Sequence, residues 1–261
     1  MKYGFIGCGN MGSAIAKALA KTTTDFAITD RSGKAIALAA EIPCGYFSAE
    51  EIASRCDRIF LGVKPHMMKG VLEPLREILA EKKPLLITMA AGLTMAQIEE
   101  FAGCEIPVIR IMPNTPVAIG KGVIQYCCND LVTRDVRQDF LRDLAPAGLL
   151  DPLEERLIDA GSAISGSGPA YVYMFIEALA DGAVACGIPR AKAMEYAAAT
   201  VIGAGEMVLA TGQHPGALKD AVCSPGGSTI AGVRALENHG LRAAAMEAVI
   251  ATCNRNKELG K

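Results

Sequence analysis

The chain has 261 residues, 26 Lys and Arg against 28 Asp and Glu, a formal net charge of −2, and 51% hydrophobic residues. That is enough apolar side chain for one large or two modest domains. The near-neutral balance gives no electrostatic reason to expect nucleic acid or an anionic membrane as partner.

Nine cysteines, none in a CxxC pair, argue against a disulfide framework or a structural zinc site. They read as reduced packing thiols. The opening MKYGFIGCGN breaks its apolar run too early for the roughly 7–15-residue core of a signal peptide. No stretch approaches the ~20 apolar residues of a membrane span. The expected compartment is the cytoplasm.

The first half alternates strand-like and helix-like segments. Residues 3–6 form a short apolar run that ends in glycines, and residues 13–21 are Ala/Leu-rich and helical. A second strand is expected at 26–29 and a helix at 34–41. Further strands follow at 58–63 and 85–89. Thr94 is a candidate N-cap for a helix to about Phe101. The last expected strands are 108–112 and 122–127. This alternation is the pattern of a parallel sheet with crossover helices.

From about Pro152 onward no convincing strand appears. Helices are expected at 169–186, stopped by Gly187-Ile188-Pro189, and at 190–210, stopped at Thr211-Gly212. Shorter pieces follow at 215–222 and 228–237, then a last helix at 241–258. The expected domains are 1–160, binding a dinucleotide, and 161–261, all helical. The second-half helices are apolar on more than one face, as buried helices are. Either a second copy of the chain or the first domain must cover them.

Gly7-Cys8-Gly9-Asn10-Met11-Gly12 matches GxGxxG, and it follows a strand and opens a helix, the context this motif requires. Its glycines let backbone approach a pyrophosphate, and the helix start supplies free N–H groups. Ile6 through Gly12 are therefore expected cofactor contacts. Asp30 stands where an acid would bind a ribose hydroxyl of NAD. Arg31, Ser32 and Lys34 follow at once and favour the 2′-phosphate of NADP. NADPH is the expected cofactor, with NADH the alternative. Gly62-Val63-Lys64-Pro65 and Ala90-Ala91-Gly92 end strands and read as cofactor walls.

Among the three histidines, His214 and His239 read as turn and helix-end groups, and His66 as an indirect neighbour of the cofactor. No HxH, HExxH or carboxylate cluster points to a metal. Late in the chain, CSPGGSTIAG sets Gly226-Gly227 and several hydroxyls before a helix. Such a start can present backbone N–H groups to an anion, while Ser228 and Thr229 can cap the helix or donate to a ligand.

Together FIGCGNM, VKP, AAG, MPNTP (residues 112–116), SGSGPAY (165–171), HPG and SPGGST resemble, in this order, the pyrroline-5-carboxylate reductases. The resemblance covers nearly the whole chain. It implies a Rossmann-type N-terminal domain and an all-helical dimerisation domain that interleaves with a partner's, in a homodimer or a decamer. Each active site would mix residues from two chains. The implied reaction is hydride transfer from the nicotinamide cofactor to the imine carbon of 1-pyrroline-5-carboxylate, giving L-proline. By resemblance, Ser224, Gly226, Gly227 and Ser228 hold the substrate carboxylate, Thr229 sits near the ring nitrogen as the catalytic candidate, and Asn114 of MPNTP joins the cofactor set.

The alternatives are a reductase for another cyclic imino acid and a non-catalytic NADPH-binding regulator. One methylene shifts discrimination by only ~1–3 kcal/mol, so the loop does not exclude a six-membered ring. A β-hydroxyacid dehydrogenase would need a catalytic Lys after its glycine-rich helix start. No Lys occurs between Lys121 and Lys192.

Overall fold

The structure, a computed structural model, describes residues 1–31 and 33–259. Ser32, in the expected cofactor set, lies outside the described residues. The chain divides into two compact units, Met1–Ser167 with the stretch from Thr252, and Gly168–Ala251.

The first unit is built on strands β1 (Tyr3–Ile6), β2 (Phe26–Thr29), β3 (Gly45–Tyr46), β4 (Arg58–Leu61), β5 (Leu85–Thr88), β6 (Val108–Met112), β7 (Gly122–Cys128) and β8 (Gly148–Pro152). They form one sheet in the order β3-β2-β1-β4-β5-β6-β7-β8. β1, β5 and β6 are buried along their whole length. Helices cover both faces there, so these strands read as continuous apolar runs rather than alternating ones. Short β3 and half-exposed β8, neither expected from the sequence, are the two edges. Edge strands need no two-sided apolar pattern, and β8 even ends in a proline.

Every pairing from β3 across to β6 is parallel. β7 is antiparallel to β6, and β8 is parallel to β7. The expectation of a parallel sheet therefore fails at β7. Only residues 113–121 separate β6 from β7, with the 3₁₀ turn Thr115–Ile119 inside them. A parallel crossover needs roughly a dozen residues or more, so the chain turns back instead.

On one face of the sheet Phe5, Phe26 and Phe60 pack with Ile15 and Leu19 of the helix Asn10–Leu19 and Phe140 of the helix Arg134–Leu144. The Phe5 and Phe60 rings stack with centroids 4.5 Å apart, so truncating either to Ala costs about 3–5 kcal/mol. On the other face Ile59, Leu61 and Leu86 pack with Ile52, Leu79 and Ile98, which come from the helices Ala49–Arg55, Arg76–Lys82 and Met95–Ala102.

The helices of the second unit are Gly168–Ala185, Arg190–Thr211, Pro215–Ala221, Ser228–Asn238 and Leu241–Leu259, the last counted with the first unit from Thr252 onward. The first two form a hairpin whose buried residues are Ala180, Ala193 and Ala197. Large apolar side chains point outward instead, with Met174 70%, Ile202 61% and Leu209 83% exposed. Ile176, Ala183, Val184 and Ile188 pack half-buried against these alanines, a small core for helices of this length. Among the described residues no helix is long and apolar enough to cross a membrane.

Candidate functional site

β1 pairs with β2 on one side and β4 on the other, with Ile6 opposite both Thr29 and Leu61. The three strands end level, so the loops that begin at Gly7, Asp30 and Gly62 open side by side. The strand order runs outward in both directions from β1, which makes this the crevice where open α/β sheets bind ligands. The Gly7 N–H donates to the Thr29 carbonyl at 2.9 Å, and the Gly62 N–H donates to the Ile6 carbonyl at 2.8 Å.

Here the backbones touch. Gly7 has φ +101°, and a Cβ on it would lie 2.7 Å from the Gly62 carbonyl carbon. A Cβ on Gly12 would lie 2.4 Å from the Gly7 oxygen. Gly9 differs, because nothing lies within 4 Å of where its Cβ would be. It N-caps the helix Asn10–Leu19 without any side-chain hydrogen bond, and no acid stands in the first turn. The first N–H groups of that helix lack intrahelical acceptors and suit an anion. A cleft of about 690 Å³ opens beside them, lined by Gly7, Gly9, Asp30, Arg31, Val63 and Lys64 among others. The space left at Gly9 and the uncapped helix start fit the pyrophosphate of a dinucleotide.

The Asp30 carboxylate accepts the Lys34 N–H at 3.1 Å and so shapes the turn into the helix Lys34–Glu41. Arg31 is exposed at the cleft. Cys8 offers only backbone, since its side chain is fully buried. Burial, helped by Asp30 and Cys44, pushes its thiol up to about 12, so it is a neutral packing group at pH 7. Met11 packs against the Phe5 face of the core, and Asn10 is exposed.

Pro65, Ala91 and Gly92 lie in the wall of a second cleft of about 570 Å³, with His66, Asp159 and Asn256. Ala90 is buried, and its N–H donates to Thr88 Oγ1 at 3.3 Å. Asn114 lines neither cleft. Its Nδ2 donates to the Ser165 carbonyl at 2.9 Å, and its Oδ1 accepts the Val123 N–H at 2.8 Å. The amide thus fastens the MPNTP turn to β7 and to the end of the helix Glu155–Ser165.

The segment Tyr46–Glu50 also walls the first cleft, and sequence reasoning missed it. One signal was available. Ser48 and Glu51 form a capping box, with Glu51 N–H to Ser48 Oγ at 3.1 Å and Ser48 N–H to Glu51 Oε2 at 3.0 Å. Ser-x-x-Glu before an apolar run announces a helix start.

In the second unit, Ser224–Gly227 is a turn in which the Gly227 N–H donates to the Ser224 carbonyl at 3.0 Å. Pro225 precedes Gly226 at φ +69°, the signature of a type II turn. This corrects one expectation, because the Gly227 N–H is consumed by the turn. Gly227 then N-caps the helix Ser228–Asn238 with no side-chain hydrogen bond. Neither Ser228 nor Thr229 caps it. Their N–H groups, at the first helical positions, lack intrahelical acceptors, and both residues are exposed. A Cβ on Gly227 would lie 2.5 Å from Ser224 Oγ, so glycine keeps that hydroxyl beside the helix start. His214 Nδ1 accepts the Gly216 N–H at 3.1 Å, and His239 Nδ1 lies 2.8 Å from the Ala235 carbonyl. His239 ends the helix Ser228–Asn238, as read from the sequence, and His214, read there as a turn residue, N-caps the helix Pro215–Ala221.

Residues 155–259 match the family described as pyrroline-5-carboxylate reductase dimerisation, and residues 2–92 match NADP oxidoreductase coenzyme F420-dependent. A pyrroline-5-carboxylate reductase of Escherichia coli (strain K12) is 42% identical over 266 residues, spanning 100% of this chain and 98% of the relative. The Plasmodium falciparum pyrroline carboxylate reductase with NADP bound superposes with a TM-score of 0.87 at 34% identity, covering 100% and 98% of the two chains. A pyrroline-5-carboxylate reductase from Coxiella burnetii gives 0.90 at 33% identity, with the same coverage.

Proposed function

Because this chain belongs to the pyrroline-5-carboxylate reductase family, we propose that it reduces 1-pyrroline-5-carboxylate to L-proline with NADPH. The observation that carries the reading is the pair of uncapped helix starts, at Gly9 and at Gly227, each preceded by a glycine turn. One suits a pyrophosphate and the other a carboxylate.

When bound, NADPH supplies the hydride that the imine carbon receives. The first helix start and Gly9 hold the pyrophosphate. Arg31 and Ser32 take the 2′-phosphate, and Lys64, Ala91 and Gly92 flank the ribose and nicotinamide. The N–H groups of Ser228 and Thr229, with Ser224 Oγ, bind the substrate carboxylate. The Thr229 hydroxyl hydrogen-bonds the ring nitrogen, which must carry a proton to be electrophilic. An imine so polarised needs orientation more than acid strength, and orientation is worth roughly 7–11 kcal/mol at best. Thr229 is therefore a modest catalytic residue.

The outward apolar side chains of the second unit support self-association, proposed as a homodimer with a decamer as the higher assembly. Nine cysteines outside any CxxC spacing support a reducing compartment, the cytoplasm. The test is NADPH oxidation with racemic 1-pyrroline-5-carboxylate, run beside NADH and beside a six-membered cyclic imine. Rapid oxidation with the five-membered ring is expected. No oxidation by well-folded protein would overturn the reading.

A further inference from the structure

The largest fully buried side chain is that of Arg110, on β6. Its Nη2 lies 2.6 Å from Asp159 Oδ1 and its Nη1 lies 3.5 Å from Glu155 Oε1, both on the helix Glu155–Ser165. Its Nε is buried without a partner among the described residues. A buried guanidinium is costly unless carboxylates meet it, so Arg110 fixes where these two acids stand.

Glu155 Oε1 also accepts the Met95 N–H, at 2.7 Å. Met95 is the first residue of the helix Met95–Ala102, whose cap Thr94 and residue Gln97 already form a capping box. The Thr94–Gln97 box leaves the Met95 N–H as an orphan donor of the first turn, and the glutamate closes it from another element. Just upstream lies Ala90-Ala91-Gly92, where Gly92 has φ +77°. This short segment is held from one side by β5 and from the other by the start of the helix at Met95.

We propose that Glu155 is a positioning residue for the reductase: pinned by Arg110, its carboxylate holds the Met95 N–H and thereby the Ala91–Gly92 wall of the second cleft, which the proposed function sets against the ribose and nicotinamide. The proposal rests on the reading of that wall as a cofactor contact. Glu155 itself lines neither cleft.

The test compares Glu155→Ala, Glu155→Gln, Met95→Pro and Ala91→Leu by KM for NADPH, kcat and Tm. Glu155→Ala is expected to raise the KM for NADPH about tenfold, the scale of a charge-assisted hydrogen bond lost. Glu155→Gln keeps an oxygen acceptor for the Met95 N–H and is expected to restore the KM to within about threefold. Met95→Pro removes the donor at a first helical position, where proline is tolerated, and is expected to reproduce the Glu155→Ala defect. It reports even where the alanine variant does not fold. Ala91→Leu, placed in the wall, is expected to raise the KM for NADPH directly. A harmless Ala91→Leu would remove the wall from the cofactor site, and the proposal would fall with that reading. A harmful Ala91→Leu beside a normal KM in Glu155→Ala and Met95→Pro would overturn the positioning role alone. So would a Glu155→Gln variant as defective as Glu155→Ala.

Discussion

The Tyr3 hydroxyl donates a 2.8 Å hydrogen bond to Asp143 Oδ2, across 140 residues of sequence. It ties the start of β1 to the helix Arg134–Leu144, at the end of the strands away from the dinucleotide cleft. Lys2 Nζ lies 2.6 Å from the same oxygen, and the carboxylate is nearly out of solvent. Burial alone would raise the Asp143 pKa. The hydrogen bonds from Lys2 and Tyr3, with Lys2 and Arg142 charge, outweigh it and hold the carboxyl below its ordinary value.

Asp143→Asn is expected to lower stability at pH 7 by about 2 kcal/mol, the scale of hydrogen bonds to a buried charge. Its kinetic constants should be unchanged. The folded pKa lies below the unfolded one, so this contribution is present above the unfolded value and lost as pH falls below about 4. Urea titrations of both proteins from neutral to acid pH should show the gap narrowing. A constant gap would mean the charge is not the cause.

Gly9 and Gly12 should separate binding from folding. Gly9→Val places side chain in open space, so the fold should survive while the KM for NADPH rises at least about tenfold. Gly12→Ala drives a Cβ against the Gly7 carbonyl and should lower Tm as well. Equal Tm values for the two variants would contradict the geometry.

Arg31 stands at the cleft beyond an Asp30 whose carboxylate accepts a backbone N–H. Arg31→Ala should weaken NADPH about tenfold, the worth of a charge-assisted hydrogen bond to phosphate, and leave NADH nearly unchanged. Steady-state kinetics with both cofactors would show the ratio move. Equal losses for both would place the arginine elsewhere than on the 2′-phosphate.

Thr229→Ala should lower kcat by about tenfold, the worth of a single hydrogen bond made in the transition state. The Kd for NADPH, measured by fluorescence, should stay the same. An unchanged kcat would remove the hydroxyl from the reaction.

Met174 and Leu209 are apolar and outward-facing. Met174→Glu or Leu209→Glu should lower the mass measured by light scattering in the micromolar range, since a charge buried without a partner is strongly unfavourable. A native mass in both variants would leave these two side chains outside the contact between copies.

The second-unit helices were legible almost to the residue. Gly187-Ile188-Pro189 and Gly212 are local stops, and the observed helices end at Ala185 and Thr211. The central strands were legible because burial on two faces leaves a run such as RIFL with no polar residue after its arginine. β3 and β8 were not, since edge pairing is decided by neighbours far off in sequence. The helix Arg134–Leu144 was also missed. Its mostly charged residues hide the buried Phe140 and Leu144, although Thr133 caps it and accepts the Val136 N–H at 3.4 Å. For the site, motifs on loops were readable. The Tyr46–Glu50 wall was not, because it exists only once β3 lies beside β2. The Gly227 N–H is a different case, because Pro225-Gly226 is itself the sequence signal of a type II turn, whose fourth residue donates back to the first and is not left for a ligand.

The small, alanine-centred core of the second unit has a kinetic consequence. On the self-association proposed above, a unit that buries so little of its own apolar surface gains its free energy of folding when copies meet, and folding and association become one event. Its formation should then be second order in chain concentration. Refolding from denaturant would slow on dilution, while the first unit, with a core on each face of its sheet, would regain structure at a rate that dilution leaves alone.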